Sequence, residues 1–243
     1  MSQKRAPVDR TTYDHAYVRS LFDNIAPRYD FLNHFLSSGF DVLWRKRAVQ
    51  MLRDHHPRDI LDVATGTADL AIEAAKLKPE RIVGVDISDE MIRRANKKIA
   101  RRGLEQLITI ERGSAEELRY PDASFDAVMV AFGIRNFANL KAGLSQMYRV
   151  LRPGGVSVIL EFSRPRGAPL RQAYGFYFNR VLPFVGGLIS RSREAYDYLP
   201  KTVGEFPDGE ELLAILASIG YTQPRQEAVS YGIATIYTGV KST

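Results

Sequence analysis

From residue 60 onward, short apolar runs alternate with stretches whose apolar residues recur at helical spacing. Ile60-Leu61-Asp62-Val63-Ala64 reads as a buried strand, and Leu70, Ala74 and Leu77 mark one face of the helix that follows. Residues 81–85 predict a second strand and residues 91–102 a second helix. A third strand falls at 107–111 and a fourth, apolar after Asp126, at 125–131. A helix over 140–151 is stopped by Pro153-Gly154-Gly155, and a fifth strand runs over 156–162. Apolar strands separated by amphipathic helices predict a parallel sheet covered on both faces, with right-handed connections.

The alternation breaks on either side of this block. Upstream, Val18, Leu21, Phe22 and Ile25, then Leu32, Phe35 and Leu36, are spaced as helices punctuated by Pro27 and Gly39, so residues 1–52 predict an N-terminal helical cap behind a basic lead-in. Downstream, residues 163–205 are rich in aromatics and arginine and hold no strand pattern. A helix over 209–219 and strands over 222–229 and 232–240 then close the chain. The short link between those two strands makes them antiparallel. The expectation is one α/β domain over 1–243: a Rossmann-like, seven-stranded, mostly parallel sheet with its last strand antiparallel. Residues 163–205 form an inserted lid.

Composition narrows this little. The 243 residues are 45% hydrophobic and 26% charged, as in an ordinary globular protein. With no cysteine, the chain has no disulfide, thiolate metal ligand or cysteine nucleophile. No His/Asp/Glu cluster has metal-ligand spacing, so no metal is expected. The first sixteen residues lack the apolar core of a signal peptide, and the apolar stretch 173–189 is too interrupted to span a bilayer, which suits a cytoplasmic protein. A net charge of +6 suits contact with polyanions, either nucleic acid or lipid headgroups, or simply a basic surface.

Candidate chemistry begins at the carboxyl end of the first strand, where open α/β sheets bind ligands. The loop Asp62-Val63-Ala64-Thr65-Gly66-Thr67-Ala68-Asp69 is made of small residues that let a ligand approach the backbone, and it lacks the further glycines of a dinucleotide fingerprint. Asp62 and Gly66 are candidates there. Asp86 ends the second strand twenty residues after Gly66, the spacing at which an acid reaches the hydroxyls of a ribose. Ser88 is the better N-cap for the next helix, which leaves Asp86 for a ligand. After the third strand, Ser114 and the Ala115 amide can meet an adenine edge, although for Ser114 taken alone a turn cap is the better explanation.

These elements, in this order, resemble class I methyltransferases. Arg149-Val150-Leu151-Arg152-Pro153-Gly154-Gly155 is similar to the turn that precedes their fifth strand, and the terminal hairpin is also theirs. The resemblance sharpens at Tyr29-Asp30-Phe31-Leu32-Asn33, Gly39-Phe40, Trp44-Arg45, Ala131-Phe132-Gly133-Ile134-Arg135-Asn136-Phe137, Leu160-Glu161-Phe162-Ser163-Arg164-Pro165, Tyr196-Asp197-Tyr198-Leu199 and Phe206-Pro207-Asp208-Gly209. Over residues 13–240 the chain is similar to the ubiquinone/menaquinone biosynthesis C-methyltransferases, most of all to the branch that converts demethylmenaquinol to menaquinol; the ubiquinone branch stays open. The resemblance implies S-adenosylmethionine as cofactor, held at Thr67, Asp86, Ser114 and Ala115. Thr65 and Ala68 stand where many class I enzymes carry glycine, and Ala131 stands where some relatives place a cofactor-contacting serine.

Methylating a ring carbon of a prenylated hydroquinone requires alignment in a water-poor site, a base, and a group that holds the developing oxyanion. Arg135 and Asn136, after the fourth strand, are the catalytic candidates: Arg135 to polarise a quinol oxygen and Asn136 to position the ring. The competing reading pairs Arg135 with Glu161. Tyr29 and Tyr196 are candidate pocket residues; His34 is not favoured as a base. Residues 174–178 and 182–185, with arginines 164, 166, 171 and 180, suit a prenyl tail or the inner face of a membrane. A homodimer is compatible with this reading. The competing classes are an RNA methyltransferase, against which no RNA-binding motif is found, and a methyltransferase of water-soluble small molecules, against which the aromatic insertion speaks.

Overall fold

The computed structural model describes residues 15–26, 37, 39–165, 167, 172 and 202–243. Two helices, α1 (His15–Ile25) and α2 (Phe40–Gln50), precede the first strand. Then come β1 (Asp59–Val63), α3 (Asp69–Ala74), β2 (Arg81–Asp86), α4 (Asp89–Arg101), β3 (Ile108–Arg112), β4 (Phe125–Ala131), α5 (Leu140–Val150) and β5 (Leu151–Phe162). After the insertion follow α6 (Glu210–Ile219), β6 (Tyr221–Val229) and β7 (Ala234–Lys241). The sheet order is β3-β2-β1-β4-β5-β7-β6, with β7 antiparallel to both neighbours, as expected.

Alternate residues of each central strand feed opposite faces, so the sheet is buried on both sides. Ile60, Ile82, Ile108, Met129, Val158 and Leu160 pack under Trp44, Ala48, Leu70, Ala71, Ala95 and Ile99 of α2, α3 and α4. Leu61, Val83, Val128, Val130 and Ile159 pack against Leu144, Met147, Leu212 and Leu216 of α5 and α6. Full burial of each such side chain contributes roughly 1.5–3 kcal/mol, which holds both layers to the sheet. Side-chain caps set the helix starts: Ser88 Oγ accepts from Met91 N, and Asn139 Oδ1 accepts from Ala142 N.

Two elements differ from expectation. The helix expected to continue through Leu77 tightens into a 3-10 turn at Ala75–Leu77, which Lys78 ends with φ of 58°. Strand β5 begins at Leu151, not Val156, because Leu151 pairs with Phe125 ahead of a register shift that absorbs Pro153-Gly154-Gly155. No helix among the described residues is long and apolar enough to cross a membrane. Tyr29, Tyr196, His34 and the aromatic runs 174–178 and 182–185 lie outside the described residues.

Candidate active site

The chain runs outward from β1 to β3 and then restarts beside β1 with β4, so a crevice opens where the carboxyl ends of β1 and β4 diverge. A cleft lies there. Its floor is Ala64 and Gly66 after β1, Asp86 and Ile87 after β2, and Gly113, Ala115 and Glu116 after β3. Phe132, Gly133, Asn136 and Phe137 after β4 form one wall, while His15, Val18 and Phe22 of α1 roof it. A side chain on Gly133 would sit 2.8 Å from Ala64 Cβ, so only glycine lets these two loops meet. A second lobe, which shares Ala64 and Phe132 with this cleft, is lined by Arg45, Asp62, Thr65, Thr67 and Asp69.

Two carboxylates dominate the electrostatics. Asp86 is held by the backbone: Gly66 N donates to Oδ2 at 2.7 Å and Ser88 N to Oδ1 at 2.9 Å. Burial raises its pKa, and these amides oppose the rise. An ionised carboxyl accepts about four hydrogen bonds, so Asp86 retains capacity toward the cleft. Asp62 is 1% exposed, and burial pushes its carboxyl up to about 7 against the opposing Thr65 hydroxyl and Ala71 amide. Thr65 Oγ1 donates to Asp62 Oδ2 at 2.6 Å, whereas Oδ1 has no hydrogen-bond partner. An orphaned oxygen beside an open lobe suits a cationic ligand group.

The other sequence candidates divide. Ala115 lines the cleft, but Ser114 caps its own turn, donating to Glu116 Oε2 at 2.5 Å and accepting from Glu116 N at 3.2 Å. Thr67 faces the polar lobe, where its hydroxyl accepts from Lys98 Nζ at 2.9 Å. Asn136 lines the cleft; Arg135 does not. Arg135 Nη1 donates at 2.6 Å both to Glu161 Oε1 and to Phe132 O, in a pair whose side chains are 7% and 0% exposed. The alternative weighed from sequence, a structural ion pair with Glu161, is therefore present. Arg135 Nε is buried without a partner. The α1 roof and Gly113, Glu116 and Phe137 escaped the sequence reading. An aromatic stack also escaped it: Trp44, Phe132 and Phe162 lie with ring centroids 4.7–6.2 Å apart.

A family model described as the ubiE/COQ5 methyltransferase family matches residues 10–241. The chain belongs to this family. Demethylmenaquinone methyltransferase of Bacteroides fragilis is 44% identical over 225 residues, 92% of either chain. The ubiquinone/menaquinone biosynthesis C-methyltransferase UbiE of Geobacter sulfurreducens is 49% identical over 226 residues, 92% of this chain and 88% of its own. Among solved structures, a SAM-dependent methyltransferase from Thermotoga maritima superposes with a TM-score of 0.64 at 21% identity, over 93% of this chain and 100% of its own. That likeness concerns the fold.

The residues of this ubiE/COQ5 member fit S-adenosylmethionine, the cofactor that the resemblance implies. Asp62 keeps an unpartnered oxygen for an ammonium, Asp86 retains acceptor capacity for ribose hydroxyls, and Val85, Ile87, Met91 and Phe137 supply apolar walls for a base.

Proposed function

We propose that this chain transfers the methyl group of S-adenosylmethionine to a ring carbon of a prenylated hydroquinone, demethylmenaquinol being the substrate favoured over the ubiquinone-pathway benzoquinol. The observation that carries the reading is a cleft at the β1/β4 switch point that joins two buried carboxylates to an aromatic wall, in a chain of this family. Bound there, the cofactor supplies an electrophilic methyl group. Asp86 holds the ribose and Asp62 the amino-acid ammonium. Phe132 and Phe137 keep water from the ring. The carbon that gains a methyl loses its hydrogen as a proton, and a neighbouring quinol oxygen carries negative charge on the way. Asn136 positions that oxygen, and Arg135 polarises it once its guanidinium turns toward the cleft from Glu161 and Phe132 O. Tyr29 and Tyr196 remain proposed ring contacts, and 163–205 the proposed lid.

The test is transfer of labelled methyl from S-adenosylmethionine to reduced demethylmenaquinone in detergent, with oxidised quinone and bulk RNA in parallel. Label on the reduced quinone alone is expected. Label on RNA, or on no quinol despite tight cofactor binding, overturns the substrate and leaves the fold intact.

A membrane-resident substrate also gives meaning to the outer rim. Among the described residues the exposed large hydrophobics are Phe40 (49%), Leu43 (56%) and Tyr231 (90%). They share one edge, because Trp44 Nε1 donates to Ser230 Oγ at 2.8 Å and ties α2 to the β6–β7 turn. Lys46 is exposed beside them, and Arg47 is paired with Glu227 by two bonds of 2.7 Å. This rim is the proposed peripheral contact with anionic lipid, whose surface favours such a mixture of apolar and cationic side chains. Replacing Phe40, Leu43 and Tyr231 together by Ser should lower co-sedimentation with anionic vesicles about tenfold or more. Turnover in detergent should be unchanged. Undiminished vesicle binding would remove the rim from consideration.

A further inference from the structure

Arg45 and Asp69 line the polar lobe and belong to a charged cluster that the chemistry above leaves unexplained. Asp41 and Arg45 lie one turn apart on α2, both buried, and their side chains form an ion pair. Arg45 Nη2 also faces Asp69 Oδ2 at 3.5 Å. Lys98 Nζ donates to Asp69 Oδ1 at 2.7 Å and to the Thr67 hydroxyl. Ser37 Oγ donates to Asp41 Oδ1 at 2.8 Å. Taking the Asp41–Arg45 pair out of water is costly, and a hydrophobic α2 would pack against the sheet as well or better. A ligand for the cluster supplies the missing reason.

Three features define that ligand. Arg45 lines the lobe with Asp62, Thr65 and Thr67, and the bonds it makes among the described residues all leave from Nη2, so the donors on Nε and Nη1 remain for a guest. A guanidinium presents those donors as a planar fork that matches a carboxylate. Asp62, close enough to feel the Arg45 charge, holds the orphaned acceptor. The lobe thus offers an anion site and a cation site side by side, the pattern of a zwitterionic α-amino acid. Among the described residues its two cations, Arg45 and Lys98, face three carboxylates, Asp41, Asp62 and Asp69, which leaves one negative charge when Asp62 is ionised. The methyl donor, with ammonium, carboxylate and sulfonium, carries one positive charge.

We propose that Arg45 binds the α-carboxylate of the methyl donor's amino-acid end, next to the ammonium on Asp62, and that Asp41, Asp69 and Lys98 hold the guanidinium in place for it. The proposal rests on S-adenosylmethionine as the ligand of this cleft. Simple anchoring of α2 is the competing role for Arg45, and ligand-side deletions separate the two.

Calorimetry on the full chain would compare S-adenosylhomocysteine, its analogue lacking the carboxylate, and methylthioadenosine, which lacks the whole amino-acid end. For the wild type, loss of the carboxylate should weaken binding about 30-fold, as expected for a buried charge-assisted pair. Arg45→Gln should weaken S-adenosylhomocysteine by a similar factor and leave methylthioadenosine within about twofold. Arg45→Lys should recover part of the loss. Equal weakening of all three ligands by Arg45→Gln would make Arg45 structural and overturn the proposal. So would a wild type indifferent to the carboxylate, a comparison that decides the matter even if the variants do not fold. Failure of the wild type to bind S-adenosylhomocysteine at all would instead overturn the cofactor reading beneath it.

Discussion

Replacing Asp62 by Asn should make the protein more stable above pH 7 while weakening its grip on the methyl donor by about two orders of magnitude. Burial raises the Asp62 carboxyl to about 7 in the folded chain, whereas an unfolded chain ionises it near the ordinary value of about 4. The folded state therefore holds a proton that the unfolded state has released. Stability is full below about pH 4, falls as pH rises toward 7, and stays low above it. At about 1.4 kcal/mol per pH unit the loss is at most about 4 kcal/mol, and Asn avoids it. The two proteins should have similar denaturation midpoints near pH 4, with the variant ahead near pH 8. Binding should show the reverse: wild-type affinity for S-adenosylhomocysteine climbs through pH 7 as Asp62 ionises, and the variant's stays flat and weak. Equal stability at both pH values would mean that Asp62 is not held neutral by burial.

The second large effect belongs to Arg135. Arg135→Ala should cost about 3–5 kcal/mol of stability, because it strands Glu161 as a buried charge without its partner. Burial already pushes the Glu161 carboxyl upward, and Arg135 is the main influence holding it down. The deficit should therefore be larger near pH 8, where the stranded carboxyl must ionise or keep a costly proton, than near pH 5. Turnover should fall as well, and the loss of fold and the loss of chemistry need separating. A double variant, Arg135→Met with Glu161→Gln, removes both charges and leaves an amide oxygen to accept from Phe162 N, which Glu161 Oε1 does at 2.8 Å. It should recover most of the stability and little of the turnover. Restored turnover in that protein would reduce Arg135 to a structural residue.

The parts of this molecule that were legible in sequence are those encoded locally. Phe125–Ala131 is a strand with the same bounds in sequence and structure because its apolar run is closed by Ser124 before it and Phe132-Gly133 after it. Ser88 was readable as a cap, which freed Asp86 for the cleft. The start of β5 was not readable, since Pro and two glycines signal a stop and only pairing with Phe125 extends the strand past them. The α1 roof was equally hidden. Val18 and Phe22 have the spacing of an ordinary buried helix face, and nothing local says that this face closes over residues a hundred positions away. Charge pairing across the fold was partly readable: Arg135 with Glu161 was foreseen as one alternative, but Arg45 with Asp41 and Asp69 was not.

The backbone of the loop after β1 alternates in hand. Ala64, Gly66 and Ala68 have φ of 52°, 56° and 67°, while Thr65 and Thr67 between them are not in the left-handed region. In this shape Gly66 N donates to Asp86, Thr65 N to Val85 O and Ala68 N to Thr65 O, so the loop is fixed by its own backbone. Each alanine holds a geometry that glycine adopts freely, at a cost of roughly 1–2 kcal/mol. In exchange, alanine samples fewer backbone states than glycine, so the loop has less freedom to surrender when a ligand settles. Ala68, which looks like a mismatch to the glycine-rich pattern of related enzymes, thus stiffens the loop in the shape that glycine would only visit.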